Sequence, residues 1–273
     1  MNKRSMRILG FSQIRDMLVR LAPSRLSKEA ARALNPDTDE DTVVKSLTDT
    51  EEAVVCLERE GQIPLGGITD IRPFLEKAKR EVTLSADECI AVWENAQRYG
   101  QIQDFFAPKE AEYPQLSQRA ETLGDFSLLV QRVGAVFDEN HQVRDNASVE
   151  LARLRTRIAE LERRTKRYIQ QILADKSYQK YFQDTLVTVR NNRSVIPVKQ
   201  EYRHAFPGIV HDMSASGATL YVEPLAVVDA NNDLQTAKLA EEKEIERIYR
   251  RLTALIAGQY EDLYKSTMTT GEL

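Results

Sequence analysis

The sequence is poor in the residues that metal sites and disulfide frameworks need. Its 273 residues include two cysteines and three histidines. Cys56 and Cys89 lie in segments of helical pattern, without a CxxC motif or a histidine nearby. Buried cysteines of this kind behave as small apolar side chains, so we interpret both as core thiols and expect no metal site.

Long apolar runs are also missing. The first residues, MNKRSMRILGFS, contain no apolar stretch of the length found in secretory signals. No later stretch approaches the ~20 apolar residues that cross a bilayer. We therefore expect a cytoplasmic chain with no membrane partner.

The net charge is small, but the charged residues are unevenly distributed. The net charge is −4, with 29% charged and 42% hydrophobic residues, which is a composition that folds. Between residues 146 and 203, however, thirteen Lys or Arg stand against six Asp or Glu, a net +7. Such a basic part in an acidic protein indicates contact with a polyanion, and a solvated helix face explains it equally well.

Residues 1–145 have the pattern of an all-α core domain. Helical segments alternate with the turn signals LAPSR, LNPDTD and IPLGGITDIRP. Ser85 and Glu88 have the spacing of an N-terminal capping box, which predicts a helix beginning there.

Helix-breaking residues such as proline and glycine are missing from residues 146 to 182. Apolar residues recur there at alternating spacings of three and four, with one polar position: Leu151, Leu154, Ile158, Leu161, Thr165, Tyr168 and Ile172. This heptad pattern predicts a helix of some 35 residues, about 50 Å long, which needs a partner helix. Residues 225–265 carry a second stripe, so we predict an antiparallel two-helix lever arm made of 146–184 and 225–268.

Residues 185–224 change to the alternating pattern of strands. LVTVR and SVIPVK flank Asn191 and Asn192, a pair that tolerates positive φ and suits a tight hairpin. GIVHDM and ATLYVEP form a second pair, whose turn should hold Gly217 at positive φ. Pro197 lacks a backbone donor, which favours an edge strand. The sequence thus predicts a mainly α fold with a small β clamp at the arm tip.

Two stretches resemble a known family. IPLGGITDIRP and, above all, LVTVRNNRSVIPVKQEYRHAFPGIVHDMSASGATLYVEPLAVVDANN are similar to the bacterial MutS-two family, the MutS paralogue without a mismatch-reading N-terminal domain. The resemblance extends from about residue 11 to 264. It implies that the three parts correspond to the core, lever and clamp domains of that family.

The resemblance also implies properties of a longer parent protein. Family members carry a MutS-type ATPase with ATP and Mg, usually a C-terminal Smr endonuclease domain, and form homodimers through the ATPase. They are implicated in binding branched DNA, restraining recombination and rescuing collided ribosomes. None of the eleven glycines here forms a G-x-x-x-x-G-K-[ST] loop. We therefore expect a fragment that is not itself an enzyme and binds no cofactor.

A hydrolytic site in the β segment is the catalytic alternative. It would use Ser214 or Ser216 as nucleophile, His211 or His204 as base and Asp212 as orienting group. The segment has no G-x-S-x-G elbow, and neighbouring residues on a strand point to opposite faces. We therefore predict no catalytic residues.

A contact surface is the preferred interpretation of the same segment. The predicted nucleic-acid-binding residues are Arg190, Asn191, Asn192, Arg193, Lys199, Arg203 and His211. Cations on short strands and loops reach phosphates without reading bases. The leading hypothesis is a sequence-independent clamp for branched DNA, and the alternatives are a module that engages ribosomal RNA or protein and a purely structural arm for coupling or dimerisation.

Overall fold

The structure is a computed structural model that describes residue 6 and residues 8–273. Residues 1–5 and 7, which begin the expected core domain, lie outside the described residues. The chain divides into two compact units. One contains the residues up to Arg144 together with Tyr249–Leu273, and the other is Asp145–Ile248.

The first unit is built from helices, as the pattern of its sequence predicts. They are α1 (Phe11–Leu21), α2 (Arg25–Ala33), α3 (Glu40–Glu60), α4 (Arg72–Lys79), α5 (Ala86–Phe106), α6 (Pro114–Glu121), α7 (Ser127–Gly134) and, much later in the sequence, α10 (Tyr260–Glu272). The predicted capping box is confirmed, because Ser85 accepts a hydrogen bond from the Glu88 amide and the Glu88 side chain accepts one from the Ser85 amide.

Helix α5 runs through the core of this unit and carries a buried polar chain. Asn95 accepts a hydrogen bond from the Thr69 amide (3.0 Å) and donates to the hydroxyl of Tyr99 (3.2 Å). That hydroxyl lies 2.9 Å from Oγ1 of Thr267 on α10. Buried polar groups are costly unless paired, so these bonds fix how α10 lies against α5.

Two long helices form the arm of the second unit. They are α8 (Val149–Ala174) and α9 (Val228–Ala257), of which the part after Ile248 belongs to the first unit. Polar pairs join Ser148 to Glu244, Arg155 to Glu241, and Glu162 to Lys238. Partners on α9 descend in number as those on α8 rise, so the predicted antiparallel pairing is confirmed over these residues.

The arm helices end earlier than the sequence predicts. α8 stops at Ala174 instead of residue 182, because the Asp175 carboxylate accepts bonds from the amide and hydroxyl of Ser177 (2.9 and 2.7 Å). Such local bonds compete with helical ones. α9 stops at Ala257, where Gly258 separates it from α10. The division into core, lever and clamp stays a prediction, and the units differ from it in placing 249–273 with residues up to 144.

The β segment is a four-stranded antiparallel sheet in the order β1-β2-β4-β3. Its strands are β1 (Thr188–Arg190), β2 (Arg193–Lys199), β3 (Gly208–Met213) and β4 (Thr219–Pro224). Asn191 and Asn192, at φ 50° and 60°, form the predicted hairpin turn. Gly217 has φ 74°, as predicted, in the turn between β3 and β4.

The prediction of an edge strand for Pro197 is wrong, because β2 lies between β1 and β4. β1 pairs only as far as Val195, and beyond it the Pro197 carbonyl accepts a bond from the Gln183 amide (2.9 Å). The nitrogen and carbonyl of one strand residue point to the same side. The Pro197 nitrogen therefore faces away from β4, and the missing donor costs no bond to that strand.

One face of the sheet closes a core against the end of α8. Ile169 of α8 packs there with Phe182, Phe206 and Val227 and with sheet residues of β2 and β4. A second cluster, of Ile158, Leu161, Leu234 and Ala237, fills the seam between the arm helices. The sheet is thereby fixed at the end of the arm where α8 stops and α9 begins.

Gly217→Ala should destabilise the chain by about 1 kcal/mol, because positive φ strains the backbone of alanine but not that of glycine. A β-carbon at this position would meet only the Met213 sulfur, at 3.9 Å, so the cost is in the backbone. Urea unfolding followed by circular dichroism measures it. The control is Gly66→Ala, where a β-carbon has nothing within 4 Å and φ is not positive. Equal midpoints for the two variants would contradict the prediction.

Candidate nucleic-acid interface

A buried carboxylate lies at the centre of the predicted site. The Glu223 side chain on β4 is fully buried. Its Oε1 accepts hydrogen bonds from Arg193 (2.7 Å) and from Asn231 on α9 (2.8 Å), and its Oε2 lies 2.5 Å from Nε2 of His211. We call these four residues the Glu223 cluster. Arg193 also donates to Asn232 on α9 (2.7 Å). The cluster therefore connects strands β2, β3 and β4 to the start of α9.

The cluster keeps Glu223 ionised. Burial raises the pKa of its carboxyl, but hydrogen bonds from Asn231, His211 and Arg193 outweigh burial and leave the pKa below its ordinary value of 4.5. A buried charge is tolerated when every lone pair is used. Arg193 and His211, both predicted to contact nucleic acid, are therefore turned towards a carboxylate of the protein itself.

Arg190 also has partners within the protein. Its Nε lies 3.2 Å from the Asp212 carboxylate, and its guanidinium stacks 4.2 Å from the centre of the Tyr221 ring. Asn191 donates to the His211 carbonyl (3.2 Å), while Asn192 is exposed in the turn. This end of the sheet thus presents amides and one ion pair to solvent, with little unpaired positive charge.

Lys199 and Arg203 are the predicted residues with cationic groups left for a ligand. Lys199 is half-buried, and its ammonium donates to the Lys180 carbonyl (3.4 Å). Arg203 is exposed, and its guanidinium pairs with no carboxylate in the described part of the chain. Both flank the 3₁₀ turn Gln200–Tyr202. The structure therefore separates the seven predicted residues into an inward-facing set and a smaller outward-facing one.

The alternative catalytic residues are not brought together. His211 contacts Glu223, while the Ser214 hydroxyl accepts a bond from the Thr219 amide (3.1 Å) and lies 3.4 Å from Ser216. Among the described residues, neither serine hydroxyl bonds a histidine. A β-bulge between Val210 and Asp212 sends His211 to Glu223 and Asp212 to Arg190.

The strongest unpaired positive charge lies on α8 instead. Four exposed cations, Arg163, Arg164, Lys166 and Arg167, line a shallow cavity of about 600 Å³. Arg163 donates to the Ala159 carbonyl (3.1 Å) and Arg164 to the Tyr168 hydroxyl (3.2 Å). Within residues 8–273, none of the four forms a salt bridge. We call this surface the α8 basic face.

Several other arginines of the arm are paired within the protein. Nearer the start of α8, Arg153 pairs with Glu150, and Arg155 pairs with both Asp145 and Glu241. On α9, Arg247 pairs with Glu244. Because charges paired within the protein have less to gain from a ligand, the face is where an anion gains most.

The described residues contain no group of three or more His, Cys, Asp or Glu side chains arranged to hold a metal ion. No helix in the same part of the chain combines the length and apolar character of a membrane span.

Glu223 and Asn231 were not among the predicted site residues. The signal for Glu223 is present, because an acid in the otherwise apolar run TLYVEP is expected to face solvent or a partner. The partner could not be named from the sequence, since Arg193 and His211 reach it only through the strand order β2-β4-β3.

Glu223→Gln should destabilise the chain by roughly 2 kcal/mol or more, because it keeps the shape but leaves Arg193 facing no charge. Urea unfolding at pH 7 measures the loss. The control is Asp212→Asn, which removes an exposed ion pair worth under about 1 kcal/mol. Similar midpoints for the two variants would show that the cluster stabilises little.

The loss in Glu223→Gln should shrink in acid. A carboxyl whose folded pKa is lowered stabilises the fold above its unfolded pKa, and this contribution is lost as pH falls through the folded value. The difference in unfolding free energy between the parent and Glu223→Gln should therefore be constant near neutral pH and decrease below about pH 4.5. A difference that grows towards low pH would contradict the assigned direction.

Comparison with known proteins gives relatives along the entire chain. No family model matches it. It is 37% identical over 276 residues to the endonuclease MutS2 of Geobacillus sp. strain WCH70, covering 100% of this chain and 35% of that protein. It is 38% identical over 267 residues to the putative endonuclease MutS2 of Bacillus subtilis strain 168, covering 97% and 34%. The endonuclease MutS2 of Acetivibrio thermocellus is 36% identical over 276 residues, covering 100% and 35%.

The chain thus spans about a third of the length of the curated relatives it matches. Identities of 35–38% extend over nearly all of its residues, including both stretches that carry the resemblance. The resemblance read from the sequence is confirmed: this is a MutS2-family chain, consistent with the N-terminal part of such proteins.

Proposed function

We propose that this part of a MutS2 protein is a non-catalytic module that holds nucleic acid by its phosphates, without reading sequence. The observation that supports the proposal best is the α8 basic face, where four exposed cations form no salt bridge within the described residues, although Glu160 also lines the cavity. Phosphates need positive charge and donors, and three of the four cations are arginines, which suit phosphate geometry.

The arrangement on the helix supports a linear polyanion as the ligand. Arg163 and Arg167 are four residues apart, so they share one helix face, and Arg164 adjoins it. The guanidinium of Arg164 is 5.4 Å from the Tyr168 ring centre, which holds it extended on the surface. The cations therefore follow the helix axis over about one turn, as contacts to successive phosphates would require.

The β clamp, residues 185–224, then chiefly stabilises the end of the two-helix arm. In this proposal the Glu223 cluster gives the sheet its fixed position at the arm end, and Lys199 and Arg203 supply supplementary contacts. DNA is the proposed partner, and branched DNA follows from the family resemblance alone. In this proposal the module contributes binding to a longer MutS2 protein and transmits motion through the two arm helices, without catalysing a reaction itself.

Replacing Arg163, Arg164, Lys166 and Arg167 together by Ala should weaken binding to duplex DNA of any sequence. The parent should bind in the micromolar to sub-millimolar range typical of non-specific contacts. Each lost phosphate contact removes about 0.9 from the slope of log K against log salt, so the slope should fall by about 2 or more. Fluorescence anisotropy over a salt series measures both quantities, and circular dichroism checks that the helices remain.

A matched control removes the same charge elsewhere. Arg20, Lys45, Arg132 and Arg251 are four exposed helical cations of the first unit. Their joint replacement by Ala should change affinity and slope far less, since it alters only the net charge. Equal losses in both fourfold variants would show that overall charge, and not the α8 basic face, governs binding. An unchanged slope in the α8 variant would refute the proposal.

A further inference from the structure

Two tyrosines lie side by side at the end of the arm. Tyr181 ends the 3₁₀ turn Gln179–Tyr181, and Tyr202 ends the 3₁₀ turn Gln200–Tyr202. Their ring centres are 4.9 Å apart and the rings are inclined by 39°. Both rings are half-buried and pack against the core that includes Phe206. Their orientation is therefore fixed by packing and costs little further entropy when a ligand binds.

The outer parts of both rings are available. Within the described residues, the hydroxyls of Tyr181 and Tyr202 form no hydrogen bond, although buried tyrosine hydroxyls nearly always do. This contrasts with Tyr99 in the first unit, whose buried hydroxyl contacts Thr267. Both tyrosines are thus half-buried side chains whose hydroxyls remain free to bond a ligand.

Three cationic residues lie close to the two tyrosines in the fold or in the sequence. The Lys180 ammonium lies 5.2 Å from the Tyr181 ring centre, and Lys199 donates to the Lys180 carbonyl (3.4 Å). Arg203 follows Tyr202 directly and is exposed. Aromatic faces beside a cationic track are the combination that binds single-stranded nucleic acid, where bases stack on rings and phosphates meet the cations.

A shallow cavity of about 570 Å³ lies beside Gln200 and Glu201 of the turn that Tyr202 ends, a volume within the range of small-ligand sites. It is lined by Gln183, Lys199, Gln200, Glu201 and Ala218. The two glutamine amides offer donors and acceptors to the edge of any base. The Glu201 carboxylate repels phosphate. A bound single strand of nucleic acid would therefore place its phosphates at Lys180 and Arg203 and turn a base towards the cavity.

We propose that this tyrosine surface, made of Tyr181, Tyr202, Lys180, Lys199 and Arg203, binds an unpaired nucleotide by stacking its base on a tyrosine ring. The site rests on the proposed nucleic-acid binding and narrows its substrate to DNA or RNA that exposes unpaired bases, such as a junction or a loop. A duplex keeps its bases stacked on each other, so it gains nothing from the tyrosine rings and relies on phosphate contacts, chiefly with the α8 basic face.

The test compares three ligands with equal labels at one low salt concentration: a twelve-residue oligothymidylate, an abasic oligomer with the same phosphates, and a 20-base-pair duplex. The parent should bind the oligothymidylate about tenfold more tightly than the abasic oligomer, since stacking on an aromatic ring contributes substantially per base. Oligouridylate of the same length distinguishes RNA from DNA as the source of the base.

The double variant Tyr181→Leu/Tyr202→Leu keeps apolar packing and removes both rings. It should bind the two oligomers equally and leave duplex affinity unchanged, while Tyr202→Phe should keep the preference. Tyr264→Leu, in the first unit, is the matched control and should also keep it. If the double variant does not fold, Tyr202→Leu takes its place, and the preference for oligothymidylate should then fall by about threefold. Glu201→Gln should bind both oligomers more tightly, because it removes a charge that repels phosphate.

The outcomes separate this inference from the proposed function. A preference for oligothymidylate that survives the removal of both rings overturns the stacking site. Equal binding of the two oligomers by the parent, with duplex binding retained, overturns it too and leaves the α8 basic face in place. A parent that binds none of the three ligands refutes both proposals.

Discussion

The position of the sheet depends on one buried ion, the carboxylate of Glu223. It is fully buried yet ionised, because Arg193, His211 and Asn231 all direct polar atoms at it. These partners come from strands on both sides of β4 and from α9. Apolar contacts beneath the sheet are non-directional, whereas a buried charge with three hydrogen-bonding partners permits little change of position. The sheet is thereby held in one position at the start of α9.

That constraint also decides which cations are available for function. Charge counting treats every arginine of the basic region alike, but the structure uses Arg193 and Arg155 to satisfy carboxylates of the protein. The cations of the α8 basic face lie about two turns beyond Arg155 on α8. A protein that must both fold and bind a polyanion divides its arginines between these tasks, and only the contacts show how.

Much of the fold could be predicted because its determinants are local. The heptad spacing from Leu151 to Thr165, the Asn191-Asn192 turn and the Ser85 capping box each depend on residues close in sequence. Most errors occurred where distant residues decide: Pro197 is tolerated in an inner strand because β1 is short, and the partners of Glu223 follow from strand order. The end of α8 is the exception, since the local bonds of Asp175 to Ser177 stop the helix despite a continuing apolar pattern. The paired tyrosines Tyr181 and Tyr202 likewise meet only once the sheet has formed.

The central claim is that Arg193 serves the fold while the arginines of α8 serve the ligand. Arginine Nε–Hε resonances in nuclear magnetic resonance report on each guanidinium separately. On titration with a 16-base-pair duplex, the account predicts shifts for Arg163, Arg164 and Arg167 and an unchanged resonance for Arg193, which stays bonded to Glu223. A resonance of Arg193 that moves with the duplex while the three α8 resonances stay fixed would contradict the account.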